Sequence, residues 1–233
     1  MSLEATILTQ TQWPSLVLES WRHASDHDGA TWVMPDGCRD LIVQTDPDGH
    51  SSWIVTSLDV TTRCVAAQAG MTWLGWRLEP GVMIEHTELL QAIRHVDCVA
   101  LVAGDPHAMA SVAHSLHDHT KRHTRLQEIL YALAIQTSVQ RAARHLGVTQ
   151  RTLQRVTIAN TGYPPVFWLR LARIRSALRA LGTELPLASV AADYGYSDQS
   201  HLTRECRHWT GLTPSQVGKR PEILAMVNAP GYG

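Results

Sequence analysis

Gly195-Tyr196-Ser197-Asp198-Gln199-Ser200-His201-Leu202-Thr203-Arg204, running on to Thr210-Gly211-Leu212-Thr213-Pro214, sets the architecture because part of it is written twice. Leu153, Arg155, Thr161, Gly162 and Pro165 return as Leu202, Arg204, Thr210, Gly211 and Pro214, each 49 positions on. Upstream the spacing falls to 48, pairing Ala143 with Ala191 and Gly147 with Gly195. The second copy therefore carries one extra residue in its central turn. Self-similarity at a fixed period marks a duplicated structural unit. Each unit reads as a helix, a tight glycine turn and a second helix, the pattern of a helix-turn-helix.

The details fill in from capping rules. Thr137-Ser138 is expected to cap a scaffold helix reaching about Leu146, with Val139, Ala142, Ala143 and Leu146 inward. Thr149 should cap a first recognition helix over about Gln150–Asn160, and Ser197 or Asp198 a second one ending near Thr210. Pro164-Pro165 stop the first and open a long helix to about Leu181, with Phe167, Leu171, Ile174, Leu178 and Leu181 as one apolar stripe. A recognition helix fits the major groove and must expose hydrogen-bonding side chains there. The first copy offers Gln150, Arg151, Gln154 and Arg155 over an inward Leu153 and Val156. The second offers Gln199, Ser200, His201, Thr203 and Arg204 over an inward Leu202 and Cys206. Gln matches the adenine edge and Arg the guanine edge, each pair giving roughly 1–3 kcal/mol of discrimination. Arg also binds phosphate, which positions without specifying.

Charge divides along the chain. The total of −1 over 233 residues conceals 8 Lys and Arg against 16 Asp and Glu in residues 1–135, a net of −8. Residues 136–233 carry 12 against 5, a net of +7. The basic part is mostly Arg, including Arg151, Arg155, Arg170, Arg173, Arg175 and Arg204, and suits a polyanion.

Residues 1–85 read as short strands. Apolar stretches at Ser15–Trp21, Thr31–Met34, Leu41–Gln44, Trp53–Thr56 and Trp73–Leu78 are separated by turns such as Pro35-Asp36-Gly37 and Asp46-Pro47-Asp48-Gly49. This spacing points to a β-sandwich or small barrel. Trp13, Trp21, Trp32, Trp53, Trp73 and Trp76 fall in this part and fill a core or line a pocket. Arg39 and Arg77 are expected to pair with Asp36, Asp40 or Glu79 rather than await an acidic ligand. Residues 86–135 have helical periodicity, broken near Gly104-Asp105-Pro106, where Asp105 caps a helix begun by Pro106.

Cys38, Cys64, Cys98 and Cys206 have no paired spacing and read as reduced thiols. Met1–Gln10 has no signal pattern, and no apolar run spans a bilayer, so a cytoplasmic protein with no membrane partner is expected. Two catalytic or sensory alternatives exist. Cys38 beside Arg39 has the makings of a low-pKa thiol, and His114, His117, His119 and His123 cluster with one i, i+4 pair. A buried thiol and a solvated histidine face are the plainer readings.

The region Ser138–Val217 resembles the paired helix-turn-helix domain of the AraC/XylS family of bacterial transcription regulators. The string carrying the resemblance is Ala192, then Gly195 to Arg204, then Gly211-Leu212-Thr213-Pro214. It implies a long middle helix that spaces two recognition helices on one face of the duplex. In this chain Arg151, Gln154 and Arg155 stand where the family's first recognition helix reads DNA, and Ser200, His201 and Arg204 where the second does. Leu202, Cys206, Thr157 and Val217 replace the family's usual aromatics, implying a looser small core, and Gly218 replaces a common Arg. The front also resembles a sensor domain that precedes this tail in some members, through Trp32-Val33-Met34-Pro35-Asp36-Gly37-Cys38-Arg39-Asp40-Leu41-Ile42 and Gly75-Trp76-Arg77-Leu78-Glu79-Pro80-Gly81. That resemblance implies a cupin-like β-fold with an effector-binding or dimerisation role.

The expectation is an α+β chain. Residues 1–85 form a cupin-like sandwich or barrel, 86–135 a helical connector, 136–220 an all-α domain with two helix-turn-helix units, and 221–233 a tail. The function expected is that of a sequence-specific transcription regulator, not an enzyme, with no cofactor or metal. Its partners would be double-stranded promoter DNA, a small-molecule effector, a second copy of itself and, for an activator, RNA polymerase. Candidate ligand contacts are Trp32, Arg39, Trp53, Trp73, Trp76 and Arg77.

Overall fold

Alternation of side chains builds the front of the molecule. The computed structural model describes residues 13–183 and 185–233. The Met1–Gln10 segment read for a signal pattern lies outside them. Strands β1 (Val17–Ala24), β6 (Thr72–Leu78), β3 (Arg39–Thr45) and β4 (Ser51–Val55) lie side by side in that order, antiparallel throughout. The β3–β4 turn closes where the Asp46 carboxylate accepts the His50 N–H at 2.8 Å. A separate ribbon pairs β2 (Gly29–Val33) with β5 (Arg63–Ala67).

On β6, Leu74, Trp76 and Leu78 face one way and Trp73, Gly75 and Arg77 the other, as a period of two requires. The first set joins Leu41 and Val43 of β3 in a core covered by α1 (His86–Ile93), α2 (Cys98–Val102) and α3 (Pro106–His119). Trp76 is the centre of that core, with Trp13 at 5.2 Å edge-on and Trp53 stacked at 6.0 Å. The other face, with the ribbon, encloses a cavity. Gly75 permits this arrangement, because a Cβ there would lie 2.3 Å from the ring of Trp21 across the sheet. Asp105 caps α3 as its sequence implies, accepting the N–H of His107 at 3.0 Å and of Ala108 at 2.9 Å.

The short pair β7 (Met83–Ile84) and β8 (Thr120–Lys121) closes this part. The chain then enters α4 (Thr124–Ile135), whose Leu126, Ile129, Leu130 and Leu133 are buried in a second core. That core is shared with α5 (Val139–His145), α6 (Gln150–Thr161), α7 (Pro165–Ala180), α8 (Leu187–Asp193), α9 (Gln199–Thr210), α10 (Pro214–Gly218) and α11 (Pro221–Asn228). The stretch read as a single connector thus divides its apolar residues between two cores. The fold is a sheet-rich N-terminal region followed by a helical C-terminal one.

Helix α7 differs from its expected single stripe. Besides Leu171, Ile174 and Leu178 it buries Trp168, Leu169, Ala172, Ala177 and Arg175, leaving little of its surface to solvent. The reason is its position, with α4 and α5, the α6 and α9 helices, and α11 packed around it. Tyr163 stacks on Phe167 at 4.6 Å, Phe167 meets Trp209 at 5.5 Å, and Trp168 meets Tyr232 at 4.9 Å. Leu202, Cys206 and Val217 are buried in the same core as Trp168, Trp209 and Tyr232, and Thr157 is buried too.

Candidate nucleic-acid interface and ligand cavity

The two repeats fold alike, down to individual hydrogen bonds. Gly147 and Gly195 turn the chain with φ of +64° and +71°, values that favour glycine. Thr149 Oγ1 accepts the Thr152 N–H at 3.1 Å and caps α6. Asp198 Oδ1 accepts the His201 N–H at 2.7 Å and caps α9, which settles the cap between Ser197 and Asp198. The caps are 49 residues apart while the glycines are 48 apart, so Ser197 occupies the extra turn position. At the far ends, Thr161 and Thr210 donate to the carbonyls four residues back, at 2.8 and 2.7 Å. Each also accepts the N–H two residues on, at 3.1 and 3.0 Å. Leu153 and Leu202 are wholly buried beneath, as are Thr157 and Cys206. Ser138 caps α5, accepting the Arg141 N–H at 3.2 Å.

The outward faces carry the candidate contacts. Gln150, Arg151, Gln154 and Arg155 on α6 are exposed, as are Gln199, Ser200 and Arg204 on α9. His201 and Thr203 are half-buried, and the His201 ring is held by Ser197 Oγ at 3.2 Å and lies edge-on to Tyr196. Among the described residues Arg151, Arg155 and Arg204 form no ion pair within the chain. The Asp198 carboxyl lies below its usual range, chiefly because it accepts the His201 N–H, with Arg204 assisting.

Three arginines counted with the polyanion-binding set are used internally. Arg170 grips Glu205 with two bonds, Nη2–Oε1 at 2.7 Å and Nε–Oε2 at 3.1 Å, tying α7 to α9. Arg173 lies over the Tyr196 ring. Arg175 is buried and donates to the carbonyls of Val227, Ala229 and Pro35. Burial pulls its pKa down to about 10, against the attraction of Asp36.

The second site is the cavity of about 370 Å³ between sheet and ribbon. Trp32, Trp73 and Arg77, all named from sequence, line it. Trp53 and Trp76 do not, since alternation turns them into the core on the opposite face of the sheet. Arg39 lines a separate cavity of about 240 Å³ near Asn160 and Tyr163, and its Nε donates to the Thr56 carbonyl at 2.9 Å. Glu19, Trp21, Asp36 and Asp40 line the larger cavity and were not singled out as ligand contacts. The two-residue spacing of Glu19, Trp21 and His23 along β1 is the signal that places them on one face with Trp73 and Arg77.

Arg77 is the hub of that cavity. Its Nη1 lies 2.7 Å from Glu19 Oε1, and its Nε lies 3.1 Å from Asp36 Oδ2 and 3.4 Å from Asp40 Oδ1. Burial works against the guanidinium charge, but Asp36, Asp40 and Glu19 outweigh it and hold the Arg77 pKa up. Burial lifts Asp40 to about 6 in spite of Arg77, with Asp36 adding to the rise. Glu19 is also raised, by burial first. Cys38 is buried; burial and then Asp36 push its thiol well up, which keeps it from the thiolate form a nucleophile needs. The histidines disperse. His114 faces Asp118 at 3.2 Å, His119 faces Glu85 at 3.4 Å, and His123 Nδ1 accepts the Leu126 N–H at the start of α4.

Comparison with known proteins bears on the helical part. Residues 142–220 match the family model of a helix-turn-helix domain. The HTH-type transcriptional regulator RipA of Corynebacterium glutamicum is 39% identical over 82 residues, which cover 35% of this chain and 25% of that protein. This segment is an AraC-type helix-turn-helix domain. The HTH-type transcriptional regulator VirS of Mycobacterium tuberculosis is also 39% identical over 82 residues, 35% of this chain and 24% of that protein. The AraC-type match therefore spans about a quarter of the length of these relatives. The crystal structure of ToxT from Vibrio cholerae is similar over 91% of this chain and 97% of that one, at 8% identity and a TM-score of 0.46. No helix among the described residues is long and apolar enough to cross a membrane.

Proposed function

We propose that this protein is a sequence-specific DNA-binding transcription regulator whose two helix-turn-helix units read one face of promoter DNA. The observation carrying the reading is the repeated frame. Helices α6 and α9 share a buried Leu, a capped start and a threonine-closed end, and each presents exposed Gln or Ser together with Arg that forms no ion pair among the described residues. Arg left unpaired at a helix surface is available to phosphate and to guanine edges. The net of +7 over residues 136–233 supplies the long-range attraction.

In the same reading the sheet, the ribbon and their cavity are a cupin-like sensor region that takes a small-molecule effector. Helix α4, within residues 86–135, transmits between this sensor and the reader at about 136–220. The test is a gel-shift titration on promoter fragments recovered by mapping where the protein sits on its genome. Arg155→Ala and Arg204→Ala should each weaken binding roughly tenfold or more, with far-ultraviolet circular dichroism unchanged. Unaltered affinity for both variants at moderate salt would overturn the assignment.

A further inference from the structure

The charge inside the larger cavity does not balance. Glu19, Asp36 and Asp40 gather on the single guanidinium of Arg77, three carboxylates to one cation. Three carboxylates already offset the single charge of Arg77, and its Nη1 also donates to the Pro230 carbonyl at 3.3 Å. The neighbouring cations keep their charge, but among the described residues none forms an ion pair with these three carboxylates, and Arg175 attracts Asp36 only at longer range. Arg63 is paired with Asp59 at 2.7 Å, Arg22 donates to the Val102 carbonyl, and Arg175 is committed to backbone carbonyls. His23 is stacked on Trp73 and its pKa is lowered by burial. Asp40 Oδ1 is fully enclosed and meets Arg77 Nε only at 3.4 Å, with the Trp21 indole also beside the carboxyl. Trp21, Trp32, Trp73, Met34, Ile42 and Ile54 give the wall a large apolar share, beside the polar Thr31, Gln44 and Thr56.

One side of the cavity belongs to the helical region. Ala225 and Met226 of α11, with Ala229 just beyond it, line the same space. This segment is stitched down at several points. The Tyr232 N–H donates to the Asp36 carbonyl at 2.7 Å, the Tyr232 hydroxyl to the Leu130 carbonyl at 2.7 Å, and Arg175 to the carbonyls of Val227 and Ala229. Asp36 is the junction, because its carboxylate sits on Arg77 while its carbonyl holds the tail.

We propose that the cavity binds an organic amine, a cation carried on an apolar or aromatic body, and that α11 is the wall through which its presence reaches the helical region. This deepens the reading of the cavity as an effector site and rests on it. The cation supplies the charge that Arg77 alone does not, the indoles contact its body and face, and Met226 reports the filled space to α11 and so to α7. An occupant can act only by binding one arrangement of these elements better than another. Burial first, with the neighbouring carboxylates adding to it, raises Glu19 and Asp40, so protons compete with the amine for these carboxylates as pH falls.

The test titrates the full chain with three matched probes, followed by tryptophan fluorescence and the thermal midpoint. The probes are 2-phenylethylamine, 3-phenylpropionate and 2-phenylethanol. The amine should saturate and raise the midpoint by mass action. Its affinity should fall roughly tenfold or more in Asp40→Asn with Glu19→Gln, and fall again as pH drops from 8 to 5. Hydrogen exchange at the Tyr232 amide and along α11 should slow in the complex. Tighter or equal binding of the acid or the alcohol overturns the amine assignment and leaves the effector-site reading standing. Saturation by none of the three overturns both. Amine binding with unchanged exchange in α11 and at Tyr232 overturns the role of that wall.

Discussion

Replacing Asp40 with asparagine should stabilise the protein, and by more at higher pH. Burial, only partly offset by Arg77, moves this carboxyl from 3.8 to about 6. The folded state therefore holds the Asp40 proton more tightly than the unfolded chain does. The stability linked to that proton is complete below pH 3.8 and is lost as pH rises through about 6. A displacement of about two pKa units corresponds to about 3 kcal/mol. Asparagine keeps the shape of the protonated acid and never ionises. It does not strand Arg77, which keeps Glu19 at 2.7 Å and Asp36 at 3.1 Å. In urea titrations Asp40→Asn should exceed the parent by about 3 kcal/mol at pH 8 and by about half that at pH 5. A variant no more stable than the parent at pH 8, or a gap that does not widen between the two pH values, would refute the reasoning.

Leu153→Ala and Leu202→Ala remove equivalent, wholly buried side chains, so each should cost about 2–5 kcal/mol in denaturant titrations, and by similar amounts. Thr149→Ala and Asp198→Ala each remove a helix cap and should cost about 1 kcal/mol in the same assay. Thiol titration of the native protein should label exposed Cys64 first and reach buried Cys38 and Cys206 only on unfolding. Rapid native labelling of Cys38 would revive a reactive-thiol role.

The helical region was largely legible because its signals are local. A repeated Leu, a turn glycine and a capping Thr or Asp each act within one helical turn, and the caps at Ser138, Thr149 and Asp198 fell at or beside the expected positions. The strands were legible where apolar residues alternate. Strand β5 was not, because Arg63 to Ala67 forms an exposed ribbon with little to bury. The uses of Arg170 and Arg175 were hidden too, since their partners Glu205 and Val227 lie 35 and 52 residues away. For the cavity, the tryptophans stood out by type, but only their parity along a strand separates Trp73 from Trp76. The contribution of Ala225 and Met226 had no sequence signal, because nothing local links α11 to a sheet assembled from the first 80 residues.

The enclosure of α7 has a consequence for the DNA-reading role proposed above. A rod packed on nearly every side, and braced to α9 through Arg170 and Glu205, behaves as a ruler of fixed length and phase. One base pair inserted between two half-sites rotates one against the other by about 35°. Such a ruler has no hinge with which to follow that rotation, so spacing, as much as base identity, would decide which promoters are recognised.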